Sequence, residues 1–136
     1  MKEKKYILLS LFILLFPILI ICFVISEFNS SPYIKIEEDM ITMKAPLCSE
    51  EKMLYDEIIE VNYIEKINYG KKNKGVFEDE IVAGWFENDE FGSYYLISYT
   101  ECDIYIVIKS YNDTFVFNFN NDKETLAIYN DLKKYE

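Results

Sequence analysis

Histidine is absent from this 136-residue sequence, and none of its fourteen cationic side chains is arginine. Without histidine the chain lacks the usual base and proton shuttle at neutral pH, so serine–histidine and cysteine–histidine nucleophilic pairs are excluded within one chain. Histidine-bearing zinc sites are excluded with them, and three cysteines are too few for an all-thiolate site. Without arginine there is no bidentate fork for phosphate or carboxylate. Positive charge is also scarce, with fourteen lysines against twenty-four acidic residues and a net charge of −10. That balance rules out nucleic acid as an expected partner and speaks against a phosphoinositide-type headgroup, since both are held by clustered cations. No metal or cofactor is expected, and catalysis by carboxylates alone is the one enzymatic class left open.

What the sequence does contain begins with a long apolar run. Residues 6–25 carry no charge and only Tyr6 and Ser10 as polar interruptions. As a helix they span roughly 30 Å, the thickness of a bilayer's hydrocarbon core. Pro17 falls near the middle, where membrane helices tolerate a kink. The run exceeds the apolar core of an ordinary secretory signal, so a retained signal-anchor is expected, with a cleaved signal as the alternative. Cys22 does not read as a lipidation site, because Ile20 and Ile21 precede it where small residues are needed. Lys2, Lys4 and Lys5 before the run, and Glu27, Glu37, Glu38 and Asp39 after it, place the N-terminus in the cytoplasm by the positive-inside rule. The expected organisation is a basic cytoplasmic tail (1–5), a transmembrane helix (6–25), a linker (26–32) and one extracytoplasmic domain (33–136).

Within that domain, period-two alternation marks half-buried strands. Ile34 and Ile36 share one face and Ile41 and Met43 another, across a turn at Glu38 and Asp39. Ile59, Val61 and Tyr63 alternate with Glu60, Asn62 and Ile64; Tyr95, Ile97 and Tyr99 form a stripe, followed by Ile104, Ile106 and Ile108. Tyr111, Asn112 and Asp113 supply turn chemistry before Phe115, Phe117 and Phe119, which predicts a hairpin. Asn121 three residues before Glu124 has the spacing of a capping box. Thr125, Ile128, Tyr129, Leu132 and Tyr135 then recur at helical spacing, predicting an amphipathic helix over 122–135 with Lys133 and Lys134 at its negative end.

The opening IKIEEDMITMK and the closing IYIVIKSYNDTFVFNFNNDKETLAIYNDLKKY resemble the two ends of the bacterial pleckstrin-homology-like domains found behind membrane helices. The resemblance runs over about residues 33 to 135. It implies a mainly β fold, a barrel of two near-orthogonal antiparallel sheets capped by a C-terminal α-helix, serving as a binding scaffold without catalytic activity. The glycine-rich and basic middle of that family is represented here only by Gly75, Gly84 and Gly92 and by Lys71, Lys72 and Lys74, so the resemblance implies a scaffold and no ligand site.

Three groups of residues are candidates for chemistry or contact. Cys48 and Cys102, an even pair outside a membrane, are candidates for a disulfide, with two unpaired thiols as the alternative. Glu78, Asp79 and Glu80 form one acidic cluster, and Glu87, Asp89 and Glu90 another. Phe91 stands where the second would need an oxygen ligand for calcium, so solvated loops are expected. The pairs Trp85–Phe86 and Tyr94–Tyr95 cannot both point inward on a strand, so one member of each is expected to face out or to cover a sheet face; Trp85, Phe86, Glu87, Asp89, Glu90 and Tyr94 are the candidate partner surface, with sheet cover or a membrane-facing side as the alternative. The expectation is a non-enzymatic, membrane-anchored binding domain that presents an acidic, aromatic surface to a protein or envelope partner. The alternatives are a small immunity or inhibitor protein that neutralises a basic toxin or enzyme, and a carboxylate-based envelope hydrolase.

Overall fold

The computed structural model describes residues 2–136, leaving out the side chains of residues 2, 3 and 5; residues 2–5 of the expected basic tail are helical, with Lys4 exposed. The chain divides into two units, one up to residue 30 and one from Ser31 to Glu136.

The first unit is a single helix, α1 (Lys2–Phe28), of which Tyr6–Phe28 is long and apolar enough to cross a membrane. Its apolar side chains are exposed from Tyr6 to Phe28. The helix runs three residues past the expected span, taking 26–28 out of the linker; Asn29 N–H closes onto Ile25 O at 3.0 Å. Pro17 lies inside it.

The second unit is mainly β. Strands β1 (Tyr33–Ile36), β2 (Met40–Lys44) and β3 (Glu50–Leu54) form an antiparallel three-stranded sheet, and the turn at Glu38 and Asp39 falls where the sequence predicts it. A single 3-10 turn, Tyr55–Glu57, leads into the second sheet. That sheet has six strands: β4 (Ile58–Glu65), β5 (Lys71–Phe77), β6 (Ile81–Asn88), β7 (Gly92–Tyr99), β8 (Ile104–Ser110) and β9 (Thr114–Phe117), in the order β4-β8-β9-β7-β6-β5. The helix α2 (Asp122–Leu132) follows, and Lys133–Tyr135 tightens into a 3-10 turn. The cap at Asn121 is formed, its Oδ1 accepting from Glu124 N–H at 2.9 Å.

Two sheets are present, as expected, but they are not closed into a barrel. Nor is the large sheet wholly antiparallel. The β8–β9 hairpin folds back so that β9 fills the slot between β8 and β7, and it pairs parallel to β7 through Tyr95/Phe115, Leu96/Val116 and Ile97/Phe117. β4 and β5 are left as separate edges.

The connection between those two edges shapes the sheet. It consists of only residues 66–70, and six Cα steps reach about 20–23 Å. Five interstrand spacings in a flat sheet need about 24 Å. The sheet therefore curls, and the connection runs across one of its faces. Ile67 and Tyr69 are packed there against Val82, Phe86, Tyr94, Leu96, Tyr105, Val107 and Val116. The opposite face carries Tyr95, Ile97, Ile106, Ile108, Phe115 and Phe117, covered by Ile41, Met43 and Met53 of the small sheet and by Leu132 of α2. Both faces of the central strands are thus buried, and β7 is buried continuously from Tyr94 to Ser98.

Candidate functional site

The predicted partner surface is split by this two-sided core. Phe86 and Tyr94 are fully buried beneath the 66–70 connection, and Trp85 is half-buried against Tyr95 in an edge-to-face contact with ring centroids 5.0 Å apart. Of the two alternatives the structure takes sheet cover: one member of each aromatic pair packs on each face, and each face has a cover. The Tyr94 hydroxyl donates to Tyr69 O at 2.8 Å, and burial pushes its pKa upward. Tyr95 is fixed from the other side, its hydroxyl accepting from Ala45 N–H at 2.8 Å and donating to Ser49 O at 3.0 Å.

Glu87, Asp89 and Glu90 remain exposed around the turn joining β6 to β7. Asn88 builds that turn: its Oδ1 accepts from the Glu90 and Phe91 amides at 3.1 and 2.7 Å, and its Nδ2 donates to Asn68 O at 2.7 Å. Glu78, Asp79 and Glu80 are exposed at the turn joining β5 to β6. Seven strand steps along β6 hold the two acidic turns roughly 23 Å apart. A glycosidase pair stands about 5–9.5 Å apart, so the two clusters cannot act as one catalytic pair. Among the described residues no three Cys, Asp or Glu side chains converge to hold a metal ion.

The disulfide is not made. Cys48 and Cys102 are free, buried thiols in separate surroundings. Cys48 lies against the Trp85 backbone and the Tyr95 hydroxyl, and burial raises its pKa. Cys102 Sγ donates to Asp122 Oδ1 at 3.0 Å and reaches Ile104 O at 3.3 Å. Burial first, and then the bond to Asp122, raise the pKa of that thiol.

Two surface features lie outside the predicted partner surface. A cleft beside the small sheet is lined by Glu38, Asp39, Leu54, Tyr55, Asp56 and Tyr135, with the Tyr55 and Tyr135 rings stacked at 4.0 Å. It joins the start of β2 to the end of β3, through the Met40/Leu54 pairing, and to the C-terminal turn. In this cleft the half-buried Tyr135 ring, stacked on the buried Tyr55, stands beside Glu38, Asp39 and Asp56, residues that are far apart in sequence. The second feature is β5, where Lys71, Lys72, Asn73 and Lys74 are all exposed. Its signal in the sequence is the local excess of lysine in an acidic chain.

Comparison with protein-family models, with curated proteins and with solved structures gives no match for this chain.

Proposed function

We infer that this chain is a non-enzymatic binding domain tethered to a cell membrane by α1, with its N-terminus in the cytoplasm and its β domain outside, and that its acidic surface docks a protein or another envelope component. The observation that carries this reading is the division of apolar residues. In α1 they are exposed along its length, which suits lipid. In the β unit most of them are buried in two cores, and the charge of the surface is set by eleven lysines against twenty-two acidic residues, net −11 over residues 31–136. Such a surface favours a basic partner and accelerates its encounter. The likeness of residues 33–135 to pleckstrin-homology-like domains supports a binding scaffold over a catalytic one.

The experiment is site-specific photo-crosslinking in intact cells from Glu87 or Asp89 in the full chain, paired with fractionation. The expected result is a chain that resists alkaline extraction from membranes and forms one discrete adduct from these acidic positions. A chain released by alkali, or a chain giving no adduct, overturns the reading. An adduct with a basic toxin or enzyme would narrow the reading to an inhibitor.

A further inference from the structure

The two edges of the six-stranded sheet are finished differently. On β4, the outward backbone of Val61 is covered: Lys133 Nζ donates to Val61 O at 2.9 Å, and the Glu136 carboxylate, itself paired with Lys133, lies beside the Val61 backbone. On β5, among the described residues, no segment pairs with the outer edge. An unpaired edge presents a row of amide donors and carbonyl acceptors to any extended chain of suitable side chains.

The side chains on that edge define what would suit it. Three of the eleven lysines of residues 31–136 lie within four positions, at Lys71, Lys72 and Lys74, and none of them is in an ion pair among the described residues. At the far end of the strand Phe77 is 57 % exposed, its ring against Tyr69 at 5.6 Å and near Phe86 at 6.4 Å. Lysine on an edge commonly deters strand addition, yet the deterrence depends on the sign of the incoming charge. A second copy pairing antiparallel along the whole of β5 would set Lys74 against Lys74 and lay Lys71 and Lys72 beside Phe77 and Val76, so it offers no carboxylate to any of the lysines. An acidic strand meets the opposite situation.

We propose that the outer edge of β5 is a strand-addition site for an extended segment of a partner protein that carries an apolar side chain followed by carboxylates. The order follows from geometry: an antiparallel strand lays its N-terminal half beside Phe77 and its C-terminal half beside Lys71, Lys72 and Lys74. The bulge at Asn73, between the Lys72/Phe86 and Lys74/Trp85 pairs, keeps the matched stretch short. The site rests on the binding-domain reading above and differs from the acidic surface in place and in charge.

The test is amide hydrogen exchange of the full chain in detergent micelles with three end-blocked synthetic peptides as probes. The first alternates threonine with valine and phenylalanine in its N-terminal half and with glutamate in its C-terminal half. The second has the two halves in reversed order, and the third is the first interrupted by proline at alternate positions. The first peptide should slow exchange over residues 71–77 by at least about fivefold and leave β4 unchanged. The reversed and proline peptides should slow it far less, and the K71E/K72E/K74E variant, with unchanged exchange in β7 as proof of folding, should lose the effect. Equal protection by the proline peptide would mean charge attraction alone and would overturn the site, as would no protection by the first peptide. Failure here beside a discrete adduct from Glu87 or Asp89 removes the edge site and leaves the binding reading standing, whereas protection without an adduct removes the acidic docking surface instead.

Discussion

Asn118 and Tyr99 are joined by a reciprocal pair of hydrogen bonds: Tyr99 N–H donates to Asn118 Oδ1 at 2.7 Å, and Asn118 Nδ2 donates to Tyr99 O at 3.1 Å. The same Nδ2 reaches Cys102 O at 3.1 Å, and Asn118 N–H donates to Ile97 O at 3.1 Å. One buried amide thus locks the end of β9 to the end of β7 and to the loop that crosses it, which holds the parallel pairing in register. Asn118→Leu strips the Tyr99 amide and the Cys102 carbonyl of this partner and leaves the Tyr99 carbonyl only its bond from Cys102 N–H, and should destabilise the domain by roughly 3 kcal/mol. Urea denaturation of the full chain in micelles would measure it, and a loss well under 1 kcal/mol would refute the assignment of the lock to this side chain.

α2 is legible in the sequence because it buries one face, so period 3.6 shows through, whereas the final hairpin is legible from the turn residues Tyr111, Asn112 and Asp113 between apolar runs even though β8 and β9 are buried on both faces. Asn121 and Glu124 made the helix start readable from chemistry alone. β7 was not legible in the same way. Tyr94 and Tyr95 both face cores, and a strand covered on both sides loses its alternation. The cover over Phe86 and Tyr94 comes from Ile67 and Tyr69, in a connection whose path depends on where β4 and β5 end up in the sheet. β4 misled for a local reason. A bulge between Ile58 and Glu60 shifts the strand, so that Ile58 is buried with Val61 while Ile59, expected on the same face as Val61, is 46 % exposed; Tyr63 keeps Val61's face, opposite Ile106, with its ring edge-on to Tyr129.

The Tyr95 hydroxyl bridges two backbone groups in a segment with no regular structure, taking a bond from Ala45 and giving one to Ser49. Tyr95→Phe keeps the ring and strands both partners. The expected cost is about 2 kcal/mol, with most of it seen as faster amide exchange over residues 45–49. A variant as stable as the parent, with unchanged exchange there, would show that solvent replaces the hydroxyl at no cost.

Gly75 and Gly84 face each other across β5 and β6 at φ of +120° and +137°. A Cβ on Gly75 would lie 2.1 Å from Ala83 O, and one on Gly84 would lie 2.1 Å from Lys74 O. Gly75→Ala or Gly84→Ala should therefore cost roughly 3 kcal/mol or more, combining backbone strain with a clash against backbone. Gly92, also left-handed at φ +67°, has open space around its missing Cβ, so Gly92→Ala should cost only about 1–2 kcal/mol. Thermal melts of the three variants should reproduce that order; equal losses would contradict it.

The Lys133–Glu136 pair on the β4 edge predicts a pH window. Hydrogen bonding to Lys133 lowers the Glu136 pKa from its ordinary 4.5, so this contribution is complete above that value and fades as pH falls through the lower, folded value. Hydrogen bonding to Glu136 raises the Lys133 pKa from 10.5, so its contribution is complete below that value and fades as pH rises through the higher, folded one. Protection of the Val61 amide, corrected for intrinsic exchange, should stay level between these limits. It should drop in Glu136→Gln even at neutral pH, and protection identical in that variant would mean that the pair does not cover the edge.

Cys48 and Cys102 are 5 % and 1 % exposed, and burial holds both thiols above their ordinary pKa, so neither presents a thiolate to solvent. Since the thiolate is the reactive form, both should resist maleimide in the native chain and react in denaturant without prior reduction. Labelling of denatured protein that requires a reductant would instead reveal a bridge. The same burial makes the native thiols poor reporters of membrane sidedness, because silence on intact cells would arise on either side. Asn112→Cys, in the exposed turn between β8 and β9, removes that ambiguity in a Cys22→Ala, Cys48→Ala, Cys102→Ala background. With the β domain outside, the new thiol should take up a membrane-impermeant maleimide on intact cells; reaction only after permeabilisation would put the domain in the cytoplasm and reverse the orientation.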